Sequence, residues 1–215
     1  MTGTPWYETP LVAVDLEGSG AQDRETEAIL EIAAVPITGG QPDMDNAYCT
    51  LVNPGRPIPK RPWISPGLTN HTLRDAPTLD AVEPTLAARL NGRYLVGHNI
   101  GVDWRVLHRR CPTIQPAGLI DTLRLARNLG TTASNGLAKL VTAYNLTTKI
   151  DTLAVGSQPH RALWDTVAAA VLLLPLIHQR WPAPPTLDDL TNLAGLALDS
   201  PPTPATRGQP SLFDG

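Results

Sequence analysis

Short apolar runs and amphipathic segments alternate along most of the chain. Residues 11–17 (LVAVDLE) are apolar, then acidic, and stop at glycines, which predicts a buried strand that ends in a loop. Two further strands are predicted over 28–37 and 47–53, with glycines in the turn between them. The proline-rich stretch 54–84 then indicates an irregular connection.

Strands and helices alternate after this connection. Strands are predicted over 94–99 and 118–120, and helices over 78–91, from after Asp103 to Pro112, and over 121–129, 135–144 and 186–197. A long helix is predicted to begin near Pro159, with Ser157 as its cap. Three linked strands followed by alternating elements predict an α/β fold, with a mixed five-stranded sheet flanked by helices.

Acidic residues stand at the ends of these predicted elements. Asp15 and Glu17 are two residues apart in a strand, so they point to the same face, although a solvated strand end would also explain them. Asp103 follows the fourth strand, and His160 precedes Asp165 by five residues. Clustered carboxylates repel unless cations hold them, and oxygen ligands suit Mg²⁺ or Mn²⁺.

Two such ions can support an in-line phosphoryl displacement, in which one activates water and the other stabilises the leaving oxygen. His160 is the predicted general base, because an imidazole can hold or release a proton near neutral pH. Five residues along a helix turn through about 140°. We therefore expect His160 to approach from the loop or first turn, and Asp165 from the helix itself.

Four segments resemble the successive motifs of the DEDDh 3′→5′ exonucleases, a group that includes the proofreading subunit of bacterial replicative polymerases. They are VAVDLEGSG, LVGHNIGVDWRVL, LIDTLRLARNL and HRALWDTVAAAVLL, and the resemblance runs from about residue 10 to 178. It implies a ribonuclease H-like fold with metal ions held by Asp15, Glu17 and Asp165. It further implies that Asp103 assists through the second metal or its water, and that His160 is the base.

Two segments depart from the family pattern. Gly18 and Ser19 stand where two threonines are common, and Ser65-Pro66-Gly67-Leu68 replaces a usual His-Gly-Ile turn. The resemblance implies that these positions shape the pocket for the terminal nucleotide. Gly18, Ser19 and Leu68 are therefore predicted substrate contacts, and substrate preference does not carry over from the family.

Three more residues are predicted to line or support the site. His98 and Asn99 end the fourth strand, where we expect them to fix the local turn around the site rather than bind metal. Trp63 lies in the proline-rich connection, where it either stacks on a base, as in single-strand binders, or covers the core.

The segment QPSLF, residues 209–213, resembles the short peptide with which bacterial proteins bind the sliding clamp. By that resemblance, Gln209 occupies a polar notch, and Leu212 and Phe213 fill an apolar pocket. Phe213 is the one phenylalanine of the chain and follows a proline-rich stretch, so a role in the protein's own core is not expected. We predict an exonuclease domain over 1–198 and a flexible tail over 199–215.

Composition bears on the cellular compartment of the protein and on its affinity for DNA. The longest apolar run, 167–177, is short for a membrane span and is interrupted by Pro175, and no secretory signal is evident. The two cysteines lack metal-type spacing and fit a reduced cytoplasm. The net charge of −3 includes the four site acids, so the remainder is close to neutral and weak intrinsic DNA affinity is expected.

The sequence therefore predicts a cytoplasmic, metal-dependent exonuclease that releases nucleoside 5′-monophosphates from DNA 3′ ends. Proofreading or repair while held on a sliding clamp is the expected setting, and a DNA polymerase is a further candidate partner. Two alternatives stay open: an exoribonuclease that trims RNA 3′ ends, and a non-catalytic, clamp-bound adaptor. The complete set of Asp15, Glu17, Asp103, His160 and Asp165 argues against the adaptor.

Overall fold

A single mixed sheet, covered by helices on both faces, organises the chain. In the computed structural model, the structure describes residues 3–20, 26–130 and 134–198. The strands are β1 (Leu11–Gly18), β2 (Ile29–Thr38), β3 (Gln41–Pro42), β4 (Tyr48–Leu51), β5 (Tyr94–Gly97), β6 (Gly118–Asp121) and β7 (Gly195–Leu196). The helices are α1 (Asn70–Leu73), α2 (Leu79–Leu90), α3 (Ile100–Arg110), α4 (Thr122–Leu129), α5 (Leu137–Ala143), α6 (Thr147–Leu153), α7 (Ala162–Arg180) and α8 (Leu187–Ala194).

The strands lie in the order β3-β2-β1-β5-β6-β7, and β4 also pairs with β2. β1 pairs antiparallel with β2 and parallel with β5, and β5 pairs parallel with β6. The predicted mixed α/β sheet is confirmed. Within the described residues it has seven strands instead of the predicted five, because β3 and β7 are two-residue edge strands too short to leave a hydrophobic pattern.

Alternation along β1 divides the core between the two faces of the sheet. Val12 and Val14 pack with residues of α2 and α3, whereas Leu11 and Ala13 pack with residues of α4, α7 and α8. Successive side chains of a strand point to opposite faces. The alternation therefore directs Asp15 and Glu17 to the face that α7 covers.

Two predicted helix starts were wrong. α3 begins at Ile100, so Asp103 lies in its first turn and does not precede it. α7 begins at Ala162, later than predicted, and Ser157 does not cap it. His160 has a φ of 65°, a left-handed conformation that cannot continue into a right-handed helix.

Helix α7 forms the centre of one layer. By length and composition it is the one helix in the described part of the chain that could cross a membrane. Within this fold, however, 67% of its apolar window is buried, as in the core helix of a globular domain. The predicted tail, with Gln209, Leu212 and Phe213, lies outside the described residues.

Candidate active site

Three carboxylates meet where β1 ends and α7 begins. Asp15 and Glu17 project from β1, and Asp165 comes from the first turn of α7. One oxygen from each of the three lies within 4.8 Å of the others. This spacing and the all-oxygen donor set fit a hard divalent cation. The sequence placed all three at one site, and the structure brings them together.

Asp103 approaches the same cluster from α3. It is buried, and one of its carboxylate oxygens accepts a hydrogen bond from the Leu16 backbone N–H, at 3.3 Å. This contact fixes Asp103 beside β1, and its charge helps to raise the pKa of Asp15. Asp103 is thus adjacent to the three-carboxylate group, and its action on a second metal stays a prediction.

The carboxyl groups hold their protons more tightly than isolated acids do. Burial raises the pKa of Glu17 to about 8, although a hydrogen bond from the Ser65 hydroxyl partly opposes the rise. Burial likewise raises the pKa of Asp103 and Asp165 to about 7. Burial and the charge of Asp103 raise the pKa of Asp15 well above its ordinary value. A bound divalent cation would reverse this tendency by stabilising the ionised forms.

The metal-free protein should therefore lose stability as pH rises. Carboxyls whose pKa is higher in the folded than in the unfolded state stabilise the fold fully below about pH 4 and lose that contribution through about pH 7–8. Thermal unfolding in EDTA and in Mn²⁺ across pH 5–9 measures this effect. We expect the Tm gain from Mn²⁺ to grow with pH, and Asp165→Asn to show a weaker decline in EDTA. A gain that is independent of pH would contradict the prediction.

His160 lies just before α7, on an exposed loop, as the helical geometry predicted. Its left-handed backbone turns the chain, and its N–H donates to Asp165 Oδ1 at 3.4 Å. The histidine is therefore tied to one of the clustered carboxylates and remains open to solvent. Its assignment as general base stays a prediction.

The predicted substrate contacts fall into two groups. Ser19 is fully buried, and its hydroxyl accepts a hydrogen bond from the Ala28 N–H at 2.9 Å. Leu68 is also buried, in a small cluster with Leu30 and Ile58, whereas Gly18 ends β1 and is half-buried. Ser19 and Leu68 thus have packing roles, and nucleotide contact by any of the three stays a prediction.

Trp63 is 39% exposed and lies against the loop that leaves β1. A Cβ on Gly20 would lie 2.3 Å from the indole Nε1, and the φ of +105° at this glycine also disfavours other residues. The Arg61 guanidinium carbon lies 5.2 Å from the ring centroid. An exposed aromatic ring beside the site is suited to stack on a base, and that use stays a prediction.

His98 and Asn99 support the loop between β5 and α3. The half-buried His98 ring contacts the Thr122 hydroxyl and the Asn135 carbonyl, each at 2.9 Å, and desolvation lowers its pKa to about 4. Asn99 has a left-handed backbone, and its N–H donates to Asp121 at 2.9 Å. These contacts agree with the turn-fixing role that was predicted for both residues.

The contacts of three residues at the site were not predicted from the sequence: those of Glu31, Ser65 and Arg161. Ser65 donates a hydrogen bond to Glu17 Oε2, and Arg161 forms an ion pair with the buried Glu31. Only Glu31 leaves a local signal, because it is a charged residue inside the otherwise apolar strand 28–37. The contacts of Ser65 and Arg161 leave no local signal, because they join residues 48 and 130 positions apart in the chain.

Comparisons with known proteins agree with this geometry. Residues 12–173 match the model of a family described as Exonuclease. A Mycobacterium tuberculosis protein, named as a bifunctional exonuclease/endonuclease, is 35% identical over 80% of this chain. The DNA polymerase III subunit epsilon of Aquifex aeolicus is 28% identical over 79% of this chain and 81% of its own length.

Among solved structures, Exonuclease X in complex with 5′ overhanging duplex DNA aligns with a TM-score of 0.60 and 27% identity. The match covers 85% of this chain and 98% of that one. It confirms the predicted ribonuclease H-like fold. The chain spans only 27% of the M. tuberculosis protein, so it matches one part of that longer relative.

Proposed function

Because the chain belongs to the DEDDh family of 3′–5′ exonucleases, which are metal-dependent phosphodiester hydrolases, we propose that it removes nucleotides from DNA 3′ ends. The products would be nucleoside 5′-monophosphates. The observation that carries this proposal is the group of Asp15, Glu17 and Asp165 oxygens within 4.8 Å, with His160 tied to its edge. DNA as the substrate is supported by the DNA complex of Exonuclease X.

The side chains divide the chemistry between them. Asp15, Glu17 and Asp165 would hold Mg²⁺ or Mn²⁺, with Asp103 serving a second ion directly or through water. When bound, such ions supply Lewis-acid stabilisation of the charge that develops on the phosphoryl oxygens. His160 accepts a proton from the attacking water while the oxygen of that water bonds to phosphorus. The bond from phosphorus to the neighbouring 3′ oxygen then breaks, and that oxygen takes up a proton.

The substrate class is the part of this proposal that needs a direct test. Purified protein with Mg²⁺ or Mn²⁺ should release mononucleotides from single-stranded DNA and from mispaired duplex ends, and more slowly from matched ends. A matched RNA oligonucleotide should be degraded more slowly than the DNA. Faster cleavage of RNA would favour the exoribonuclease, and no cleavage of any substrate would favour the non-catalytic adaptor.

We also propose a role in proofreading or repair, in the cytoplasm and beside a DNA polymerase. The epsilon subunit of A. aeolicus supports the polymerase partner by its name. Both cysteines, Cys49 and Cys111, are free thiols, which agrees with a reducing compartment.

The proposed sliding-clamp contact rests on QPSLF alone. The tail peptide 205–215 should bind the clamp of the same organism with modest affinity, because ordering a free peptide costs entropy. Replacing both Leu212 and Phe213 with alanine removes the apolar anchors and should cost about 2 kcal/mol or more of binding. Titration calorimetry of both peptides measures the difference. If neither peptide binds, or both bind equally, the clamp assignment is wrong.

In the full chain, the same double substitution should leave Tm and activity on free oligonucleotides unchanged. It should abolish stimulation by a clamp loaded on primed DNA, because tethering supplies an effective concentration of up to about millimolar. Equal stimulation of the wild type and the variant would contradict the tethering role.

A further inference from the structure

Glu31 is a buried carboxylate that the proposed chemistry does not use. It lies on β2 directly opposite Glu17 of β1, and its side chain is only 5% exposed. Its charge contributes to the raised pKa of both Asp15 and Glu17. A fifth acid so close to the four site carboxylates is unfavourable unless a partner compensates it.

Its partners come from the segment that carries His160. The Glu31 carboxylate accepts hydrogen bonds from Arg161 Nε at 2.8 Å and from Arg161 Nη2 at 2.7 Å, a two-point contact. It also accepts one from the Ala162 backbone N–H at 3.1 Å, at the first residue of α7. No local side chain caps α7, so the Glu31 carboxylate takes that part by accepting the first backbone N–H of the helix.

These contacts connect the two parts of the active site, which are the carboxylates of β1 and the segment at the start of α7. β2 is hydrogen-bonded to β1, which carries Asp15 and Glu17. Arg161 directly follows His160, and its carbonyl accepts a hydrogen bond from the Asp165 N–H at 3.1 Å. One carboxylate on the sheet thus holds the segment that supplies His160 and Asp165.

We propose that the Glu31–Arg161 ion pair is a positioning device, which sets His160 and Asp165 at a fixed place relative to the carboxylates of β1. Two features of the pair support this role. A planar guanidinium bonded at two points fixes both distance and orientation, which a single contact does not. The pair is also partly buried, so solvent competes with it less than with a surface ion pair.

The chain contains a matched control. Arg105 pairs with Glu27 at 3.0 Å, and their side chains are 23% and 7% exposed, close to the 27% and 5% of Arg161 and Glu31. That pair joins α3 to the segment before β2 and does not touch the start of α7. Arg105→Ala therefore reports the general cost of breaking a partly buried Glu–Arg pair.

The test compares Arg161→Ala, Arg161→Lys and Arg105→Ala by kcat, KM, Tm and Mn²⁺ affinity measured by electron paramagnetic resonance. We expect Arg161→Ala to lower kcat by about 10–100-fold, and to weaken Mn²⁺ binding by up to about tenfold, as for residues that orient metal ligands. KM should change by less than about threefold, because the device sets the reacting groups and not substrate binding. Arg161→Lys should recover Tm, since it keeps the charge, but only part of kcat.

Arg105→Ala should lower Tm by about as much as Arg161→Ala does, and should keep kcat within about threefold of the wild type. Equal loss of kcat in Arg105→Ala and Arg161→Ala would overturn the positioning role, as would full recovery of kcat in Arg161→Lys. If Arg161→Ala does not fold, Arg161→Lys carries the same comparison. The activity readout rests on the proposed function. If the wild type cleaves nothing, that function fails, and Mn²⁺ affinity still tests the ion pair: equal affinity in wild type and Arg161→Ala, or in wild type and Arg161→Lys if the alanine variant does not fold, would overturn it.

Discussion

Replacing Asp15 or Asp165 with alanine is expected to abolish nucleotide release while leaving the protein folded. Each substitution removes one of three carboxylates whose oxygens lie within 4.8 Å of one another. Metal ions contribute several kcal/mol of transition-state stabilisation, and about 1.4 kcal/mol corresponds to a tenfold change in rate. We therefore expect kcat to fall by about 10³-fold or more, measured as mononucleotide release from a labelled DNA strand.

The same variants should keep or gain thermal stability in EDTA. The site carboxyls repel one another when ionised, and burial raises the pKa of Asp165 to about 7, so its removal relieves an unfavourable charge. Asp188→Ala, at an exposed acid on α8, is the control and should keep full activity. EDTA should inactivate the wild type. Activity that persists in EDTA, or in either site variant, would contradict the metal-dependent mechanism.

His160→Ala should lower kcat by roughly 10²–10⁴-fold, the usual range for losing a positioned proton acceptor. Mn²⁺ affinity should change much less than in Asp15→Ala or Asp165→Ala, because the backbone N–H that donates to Asp165 is retained when His160 is replaced by alanine. Parallel measurement of kcat and Mn²⁺ affinity separates the two effects. His178→Ala, an exposed histidine at the far end of α7, should be unchanged.

A His160→Ala variant that cuts at close to the wild-type rate would identify His160 as structural, and another group would have to accept the proton. A variant that loses both Mn²⁺ binding and activity would contradict the division of roles between His160 and the carboxylates.

The local pattern of the chain was sufficient for the main elements. β1, β2, β5 and β6 are apolar runs bounded by polar or glycine residues, and their strands were predicted within one or two residues of their bounds. Asp15 and Glu17 share a face because the period of a strand is two, which holds in any tertiary context. By contrast, α1, α6 and β3 were missed, and the residues of β7 were predicted as the end of the helix over 186–197; a strand of two residues leaves no periodicity of its own.

Helix starts depended on distant partners. The predicted start of α7 used a local rule, a serine cap and a proline in the first turn, and it was wrong. In the structure, the helix begins at Ala162, where a carboxylate from β2 accepts its first N–H. The start of α3 was also misplaced, and Asp103 lies inside its first turn, bonded to the Leu16 N–H of β1.

By itself, the sequence determined which acids share a face, that His160 and Asp165 come from a loop and a helix, and that the sheet is mixed. Only the tertiary structure decided how these parts meet: Glu31 with Arg161, Ser65 with Glu17, and Asp103 with Leu16. The physical reason is the distance along the chain over which each kind of interaction acts. Backbone periodicity acts over a few residues and is written in the local sequence, whereas these hydrogen bonds join residues 48 to 130 positions apart. Such contacts exist only after the sheet has assembled.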